Sequence, residues 1–294
     1  MRSYVLVSRT RTTTACGGIQ TDSENSNLRG PLRTDLHFSV LDCAGRFEIF
    51  VAVCSYGSAI PFASLLLFAV VRSFRPIVNK DTVLLSILTS ASTAFWILGL
   101  EYVSTSESAV LSYTMPLIAI PLSSLILSEK ASHKVWTGAA VGFLGVLVYS
   151  FVVFENRTLS ALGAVLTLLN AFFWAMYTIY YRKLKNQDPT ATVATSLLFG
   201  ALLFFFISPL DYSLHATLNF WLDLAYLSVL SAAVSLLLWN ALARLNEVGK
   251  TSTLIYSTPL AVTAVQYVET SSMPPPASLI GICLMIFGIY LSQL

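Results

Sequence analysis

Charge is what this sequence has least of. Asp, Glu, Lys and Arg make up 11% of its 294 residues and the mean hydropathy is +0.72, whereas a soluble domain carries about a quarter charged residues. That scarcity excludes an ordinary water-soluble domain. A net charge of +2 likewise gives no basic surface for nucleic acid. Four cysteines, Cys16, Cys43, Cys54 and Cys283, show no CxxC or metal-ligand spacing, so they read as packing residues and not as a redox or metal centre. No HExxH, GxSxG, phosphate-cradling glycine loop or intramembrane carboxylate pair occurs. These absences argue against a membrane-embedded enzyme, and no catalytic residue, metal or cofactor is expected.

What the chain has instead is long uncharged runs. A helix crossing the hydrocarbon core needs about 20 apolar residues, and nine such runs occur, near 47–74, 82–100, 105–127, 135–154, 159–181, 191–210, 220–243, 251–268 and 277–294. None alternates with the period of two that marks a barrel strand, and backbone groups in lipid must be satisfied within the segment. An all-α, multi-pass helix bundle in the cell membrane is therefore expected. Residues 1–45 differ: they form a polar tail with no spanning run and no compact apolar stretch of the secretory kind. Its arginines are Arg2, Arg9, Arg11, Arg29, Arg33 and, at its edge, Arg46.

An offset of 143 residues aligns scarce residue types without a gap. Trp96 falls on Trp239, Leu111 on Leu254, Tyr113 on Tyr256, Thr114 on Ser257, Pro116 on Pro259, Leu117 on Leu260, Gly138 on Gly281 and Gly145 on Gly288. LSYTMPL and LIYSTPL are then one element written twice. The second copy holds five spans, and an odd number inverts one copy relative to the other. Basic residues test this, because Lys and Arg collect in cytoplasmic loops. With the C-terminus cytoplasmic, Arg72, Arg75, Lys80, Lys130, Lys134, Arg182, Lys183, Lys185, Arg244 and Lys250 all fall in inner loops and the outer loops hold Arg157 alone, while the tail with its six arginines would lie outside, against the bias. Equivalent positions exchange sign across the repeat: outer Glu101 and Glu107 answer to inner Arg244 and Lys250, and inner Lys130 and Lys134 to outer Met273 and Ala277.

These features divide the chain into a tail (1–45), a first repeat of four visible spans (46–154) and a second repeat of five (155–294). A helix equivalent to 159–181 would fall near 16–38, within the tail. Either the tail is a divergent extension, or the start of the coding sequence is wrong and a first helix has been replaced.

The run LEYVSTSESAVLSYTMPLIAIPLSSLILSEKASHKVWTGAAVGFLGVLVY (100–149), with its proline-bearing helix, Ser-Glu ending and G-x6-G helix, resembles the EamA domain of the drug/metabolite transporter superfamily. ALGAVLTLLNAFFWAMYTIYYRKL (161–184) and LARLNEVGKTSTLIYSTPLAVTAV are similar to that domain's second copy. The resemblance covers about 50–294. It implies ten helices in two inverted five-helix halves, and transport, often export, of amino acids or related solutes. Two departures are visible: the first helix is absent, and the position equivalent to Glu129 is Ser272, with Glu269 three residues earlier.

Inverted halves allow alternating access around a site near the midplane. Polar or aromatic residues deep in the spans are its candidate lining: Trp96, Tyr113, Asn170, Trp174, Tyr177, Trp239, Asn240, Tyr256 and Gln266. Each has helix packing as its alternative role, since a buried amide in hydrocarbon needs a partner. Pro116, Pro121 and Pro259 remove helical N–H groups and are expected to bend their helices. Gly138, Gly142, Gly145, Gly281 and Gly288 are expected to allow close helix packing. No ionisable residue lies at mid-depth, so the site is expected to be neutral and to take uncharged or zwitterionic small molecules, with Glu107 and Glu269 the carboxylates nearest to any coupling role. Asn156-Arg157-Thr158 matches a glycosylation sequon in an outer loop. A metabolite efflux transporter is the leading expectation; a non-transporting membrane scaffold or degenerate remnant is the alternative. Oligomeric state is not legible.

Overall fold

The structure is a computed structural model. It describes residues 77–100, 102–103, 105–154, 160–184, 186–207, 225–270 and 275–294, and the isolated positions 69, 218 and 222. The tail, nearly all of the 47–74 run, the sequon, Glu101 and Ser272, and the side chains of Gln266 and Glu269 lie outside what is described. All regular structure among the described residues is helical: α1 (Lys80–Leu100), α2 (Thr105–Ser112), α3 (Met115–Leu127), α4 (His133–Phe154), α5 (Ala161–Lys183), α6 (Pro189–Ile207), α7 (Ser235–Leu245), α8 (Val248–Thr253), α9 (Thr258–Thr270) and α10 (Pro276–Gln293). A π-helical segment, Leu227–Val234, runs straight into α7, and a 3-10 turn, Leu254–Ser257, joins α8 to α9. Five helical stretches among the described residues are long and apolar enough to cross a membrane: Lys80–Leu100, Glu107–Leu127, Ala161–Lys183, Ser228–Leu245 and Pro276–Gln293.

Local chemistry sets the helix ends. Asn79 Oδ1 accepts from Thr82 N at 2.8 Å while Thr82 Oγ1 accepts from Asn79 N at 3.2 Å, a reciprocal cap that starts α1. Asp188 Oδ1 accepts from Ala191 N at 2.6 Å, and Pro189 follows it at the first position of α6, where its missing N–H costs nothing. Arg182 and Lys183 occupy the last turn of α5, opposite the negative end of the helix dipole.

The prolines act unequally. The ring of Pro116 would meet the carbonyl of Ser112, four residues back, and α2 ends at Ser112 with Tyr113 and Thr114 forming the turn into α3. Pro259 stands in the same relation to Ile255, inside the 3-10 turn. Both twin elements are thus interrupted just before their proline. Pro121 differs: α3 continues through it.

The most extensive helix pairing joins α4 to α10. A Cβ added to Gly138 would lie 2.5 Å from Gly288 O, and one on Gly288 2.6 Å from Gly138 O; Gly145 and Gly281 meet in the same way, at 2.7 Å in each direction. Such distances leave room for hydrogen alone, so two backbones touch along a seam that only glycine permits. The pairings 138 with 288 and 145 with 281 make the helices antiparallel. Tyr256 closes one side of the seam: it is fully buried, its ring lies where a Gly142 Cβ would stand, and its hydroxyl donates to Ala139 O at 3.0 Å. Cys283, read from sequence as a packing residue, is exposed on α10; its helix buries the Gly281, Met285 and Gly288 face instead.

Candidate functional site

A second packing region gathers α1, α5, α6 and α7. Its core contains Leu85, Leu88, Ile97, Tyr177, Tyr181, Val193, Leu197 and Leu236. Within it lies a cavity of about 70 Å³ lined by Thr89, Ser90 and Thr93 of α1, Trp174 of α5, Ser196, Leu197 and Gly200 of α6, Ala232 of the π-helical segment, and Ser235 and Leu236 of α7. The lining residues of α1, α5 and α6 lie in the middle turns of their helices, and Ala232, Ser235 and Leu236 near the middle of the continuous Ser228–Leu245 stretch, so the cavity sits about halfway along these helices. Five of its ten lining residues are hydroxyl-bearing and none is ionisable. Thr89 Oγ1 and Ser196 Oγ donate to carbonyls of their own helices, Leu85 O at 2.5 Å and Val193 O at 2.9 Å. Ser90 Oγ is buried and has no hydrogen-bond partner among the described residues.

Trp174 couples this cavity to an aromatic ladder. Its ring stacks on Tyr177 at 5.4 Å and meets Trp239 of α7 at 6.1 Å; Tyr177 continues to Tyr181 at 6.1 Å. The ladder follows from spacing, since positions i, i+3 and i+7 share one face of α5. It is cross-linked by hydrogen bonds: Trp239 Nε1 donates to Thr178 Oγ1 at 3.0 Å, Thr178 Oγ1 donates to Trp174 O at 2.9 Å, and Asn240 Nδ2 donates to the Tyr177 hydroxyl at 2.6 Å. Asn240 Oδ1 is buried without a partner among the described residues.

The residues expected from sequence to line one site are not all together. Trp174 is the one that lines the cavity among the described residues; Tyr177, Trp239 and Asn240 stand behind it, and Trp96 packs against the same core. Asn170 is a helix tie: Ser92 Oγ donates to its Oδ1 at 2.7 Å and its Nδ2 donates to Ser112 Oγ at 3.1 Å, joining α1, α5 and α2. Tyr113 and Tyr256 belong to the seam side, clustered with Val110, Val146 and Met285. The hydroxyls that line the cavity sit on small side chains, not on large polar ones. Their signal was present in Thr89, Ser90 and Thr93, three hydroxyls within one apolar run.

Five membrane-length apolar helical stretches among the described residues define a class, the polytopic helical membrane proteins. The comparisons narrow it. The model of the EamA-like transporter family matches residues 45–151 and 161–294, and the chain belongs to that family. It is 47% identical over 217 residues, 74% of this chain and 84% of the relative, to "Uncharacterized transporter in sor 3'region" of Acidianus ambivalens. It is 26% identical to "Probable amino-acid metabolite efflux pump" of Salmonella typhimurium, over 58% of this chain and 61% of that protein. It is 25% identical to "S-adenosylmethionine uptake transporter" of Rickettsia bellii, over 63% and 60%. One solved crystal structure superposes with a TM-score of 0.71 at 16% identity, over 88% of this chain and 91% of that one, which shows a shared fold.

Proposed function

We propose that this membrane transporter moves small neutral or zwitterionic metabolites, amino acids or related solutes, outward across the cell membrane by alternating access between two inverted halves, 46–154 and 155–294, through nine or more spans with a cytoplasmic C-terminus. The observation that carries the reading is the mid-depth cavity between α1 of one half and α5, α6 and α7 of the other. Hydroxyls and an indole without a fixed charge suit an uncharged or zwitterionic solute, bound by hydrogen bonds and an aromatic face. At about 70 Å³ the cavity holds a few waters, far below the ~300 Å³ of a small-molecule site. Substrate entry therefore requires the flanking helices to part, as alternating access demands.

Inversion is supported by the glycine seam. Gly138 is equivalent to Gly281 and Gly145 to Gly288 at the 143-residue offset, while the contacts pair Gly138 with Gly288 and Gly145 with Gly281. Exchanging the copies therefore reproduces the same contacts, which is the signature of a two-fold axis. Because α4 and α10 are antiparallel, that axis lies across them and not along them, as an inverted repeat requires. The outward direction follows the efflux pump among the relatives; the uptake transporter beside it makes direction the first thing to measure.

The deciding experiment is flux of radiolabelled neutral amino acids in proteoliposomes, in both directions, for the parent chain and Trp174→Ala. Saturable flux lost in the variant, with folding retained, supports the reading. Absence of flux for the parent favours the scaffold or remnant, and unchanged flux in the variant removes Trp174 from the site.

A further inference from the structure

We propose that Glu129 and Arg182 form a latch that closes the cytoplasmic side of the pathway and must open once in every transport cycle. The proposal rests on the alternating-access reading, and names the residues that hold one of its two states.

Glu129 follows α3, and its position is fixed by backbone geometry. Ser128 has φ 57°, the one positive φ of a non-glycine residue among those described, and Ser124 Oγ donates to Glu129 O at 2.7 Å. A serine held in the left-handed region is a cost the surrounding contacts sustain. The carboxylate so placed uses both oxygens on the other half: Oε1 accepts from Arg182 Nε at 3.0 Å, and Oε2 accepts from Val248 N, the first N–H of α8, at 2.9 Å. Arg182 in turn donates through Nη1 to the carbonyls of Ala243 and Arg244 at the end of α7. Arg244 donates through Nη2 to Gln187 O and lies over the Tyr181 ring at 5.2 Å. One ion pair thus joins the end of α3 to the ends of α5 and α7 and the start of α8.

Three features make this a latch and not a surface ornament. The pair is only 18% and 17% exposed at its side chains, and it is extended by charge-assisted hydrogen bonds to backbone on both partners, which are stronger than neutral ones. It connects the two halves where α5 and α7, the helices that flank the cavity, both end. It is also one-sided in register: the position equivalent to Glu129 is Ser272 and that equivalent to Lys130 is Met273, so no carboxylate stands at the equivalent position of the second copy. An otherwise symmetric exchange between states is then biased toward the state closed on the inside.

The test reads which membrane face reaches the cavity. In the full-length chain with the four cysteines replaced by serine, Ser90→Cys is labelled with a membrane-impermeant maleimide in intact cells and in inside-out vesicles. Glu129→Gln removes the charge and leaves the Arg182 bonds to α7 in place; it is expected to raise labelling from the inner face about tenfold, the scale of one charged hydrogen bond, and to lower it from the outer face. Val248→Pro deletes the second hydrogen bond without breaking the helix, because proline is tolerated at a first helical position and Glu247, at φ −57° and ψ 147°, already has the backbone that precedes proline; Val248→Ala, which trims the same buried side chain and keeps the N–H, is its control. It is expected to shift accessibility the same way by a smaller factor. Unchanged inner-face labelling in Glu129→Gln, with the protein monodisperse, overturns the latch and leaves the cavity standing. Absence of labelling from either face in every background overturns the alternating-access site, and the latch with it.

Discussion

The two packing regions of this bundle are built on opposite principles. Along the α4–α10 seam the glycines bring backbone against backbone, so the closest contacts are fixed by main-chain geometry. Around the cavity the contacts are made by long or rotatable groups, the Trp174–Trp239 pair, the hydroxyls of α1 and α6, and the Asn240–Tyr177 bond. A seam of glycines offers no alternative rotamer and admits no gradual opening. A wall of indoles and hydroxyls has several arrangements of similar energy. In lipid, where helix association depends on close packing and interhelical hydrogen bonds, the first suits a fixed axis and the second suits surfaces that separate and rejoin.

The harshest way to break this comparison is Gly288→Leu. Any Cβ at that position meets Gly142 N at 2.4 Å and Gly138 O at 2.6 Å, both backbone atoms that cannot swing aside. Overpacking costs about 1–3 kcal/mol where side chains can adjust; here α4 must move, so the variant is expected to lose folded protein, read as aggregation on size-exclusion in detergent. Gly142→Ala is the milder companion. Its Cβ meets the Tyr256 ring at 2.4 Å, a side chain that can shift only by giving up its bond to Ala139 O, and a loss of about 1–3 kcal/mol is expected in thermal unfolding.

Asn240→Leu comes next and probes the cavity side. Leucine keeps nearly the same volume but strands the Tyr177 hydroxyl, which is fully buried and now accepts from Asn240 Nδ2. An orphaned buried hydroxyl costs about 1–3 kcal/mol, partly returned because Asn240 Oδ1, itself without a partner among the described residues, goes as well. The expected net loss is about 1 kcal/mol; a loss clearly larger than that measured for Gly142→Ala erases the distinction between the two regions.

The same contrast explains what could be read from the sequence. Glycine and proline are scarce and constrain backbone directly, so close packing at Gly138, Gly145, Gly281 and Gly288 is legible in the sequence, whereas the pairing of α4 with α10 and the turn before each twin proline are seen only in the fold. Membrane-length helices were legible because the hydrocarbon core sets their length. The site was legible only in part. Large polar side chains such as Asn170 and Tyr256 drew attention, yet Asn170 ties helices and Tyr256 packs on glycine; hydropathy does not tell which face of a lipid-embedded helix turns inward. The small hydroxyls that line the cavity are nearly invisible in such a scan, because serine and threonine satisfy themselves on their own helix, as Thr89 and Ser196 do. Pro121, unlike Pro116, sits within a continuous helix.

The smallest expected change in stability is the most discriminating. Ser90→Ala removes a buried hydroxyl that has no partner among the described residues and faces the cavity. Deleting a donor that forms no bond in the folded state costs nothing and recovers part of its desolvation, so the unfolding midpoint is expected to stay the same or rise, with a free-energy change within about 0.5 kcal/mol. Flux of the amino acid identified in proteoliposomes is expected to fall several-fold, because a hydroxyl left unbonded by its own helix is free for a solute. At the seam one added methyl group unsettles the fold; here one removed oxygen leaves the fold alone and registers in transport. If stability drops instead and flux is unchanged, Ser90 is a packing residue and the cavity wall is no more mobile than the seam.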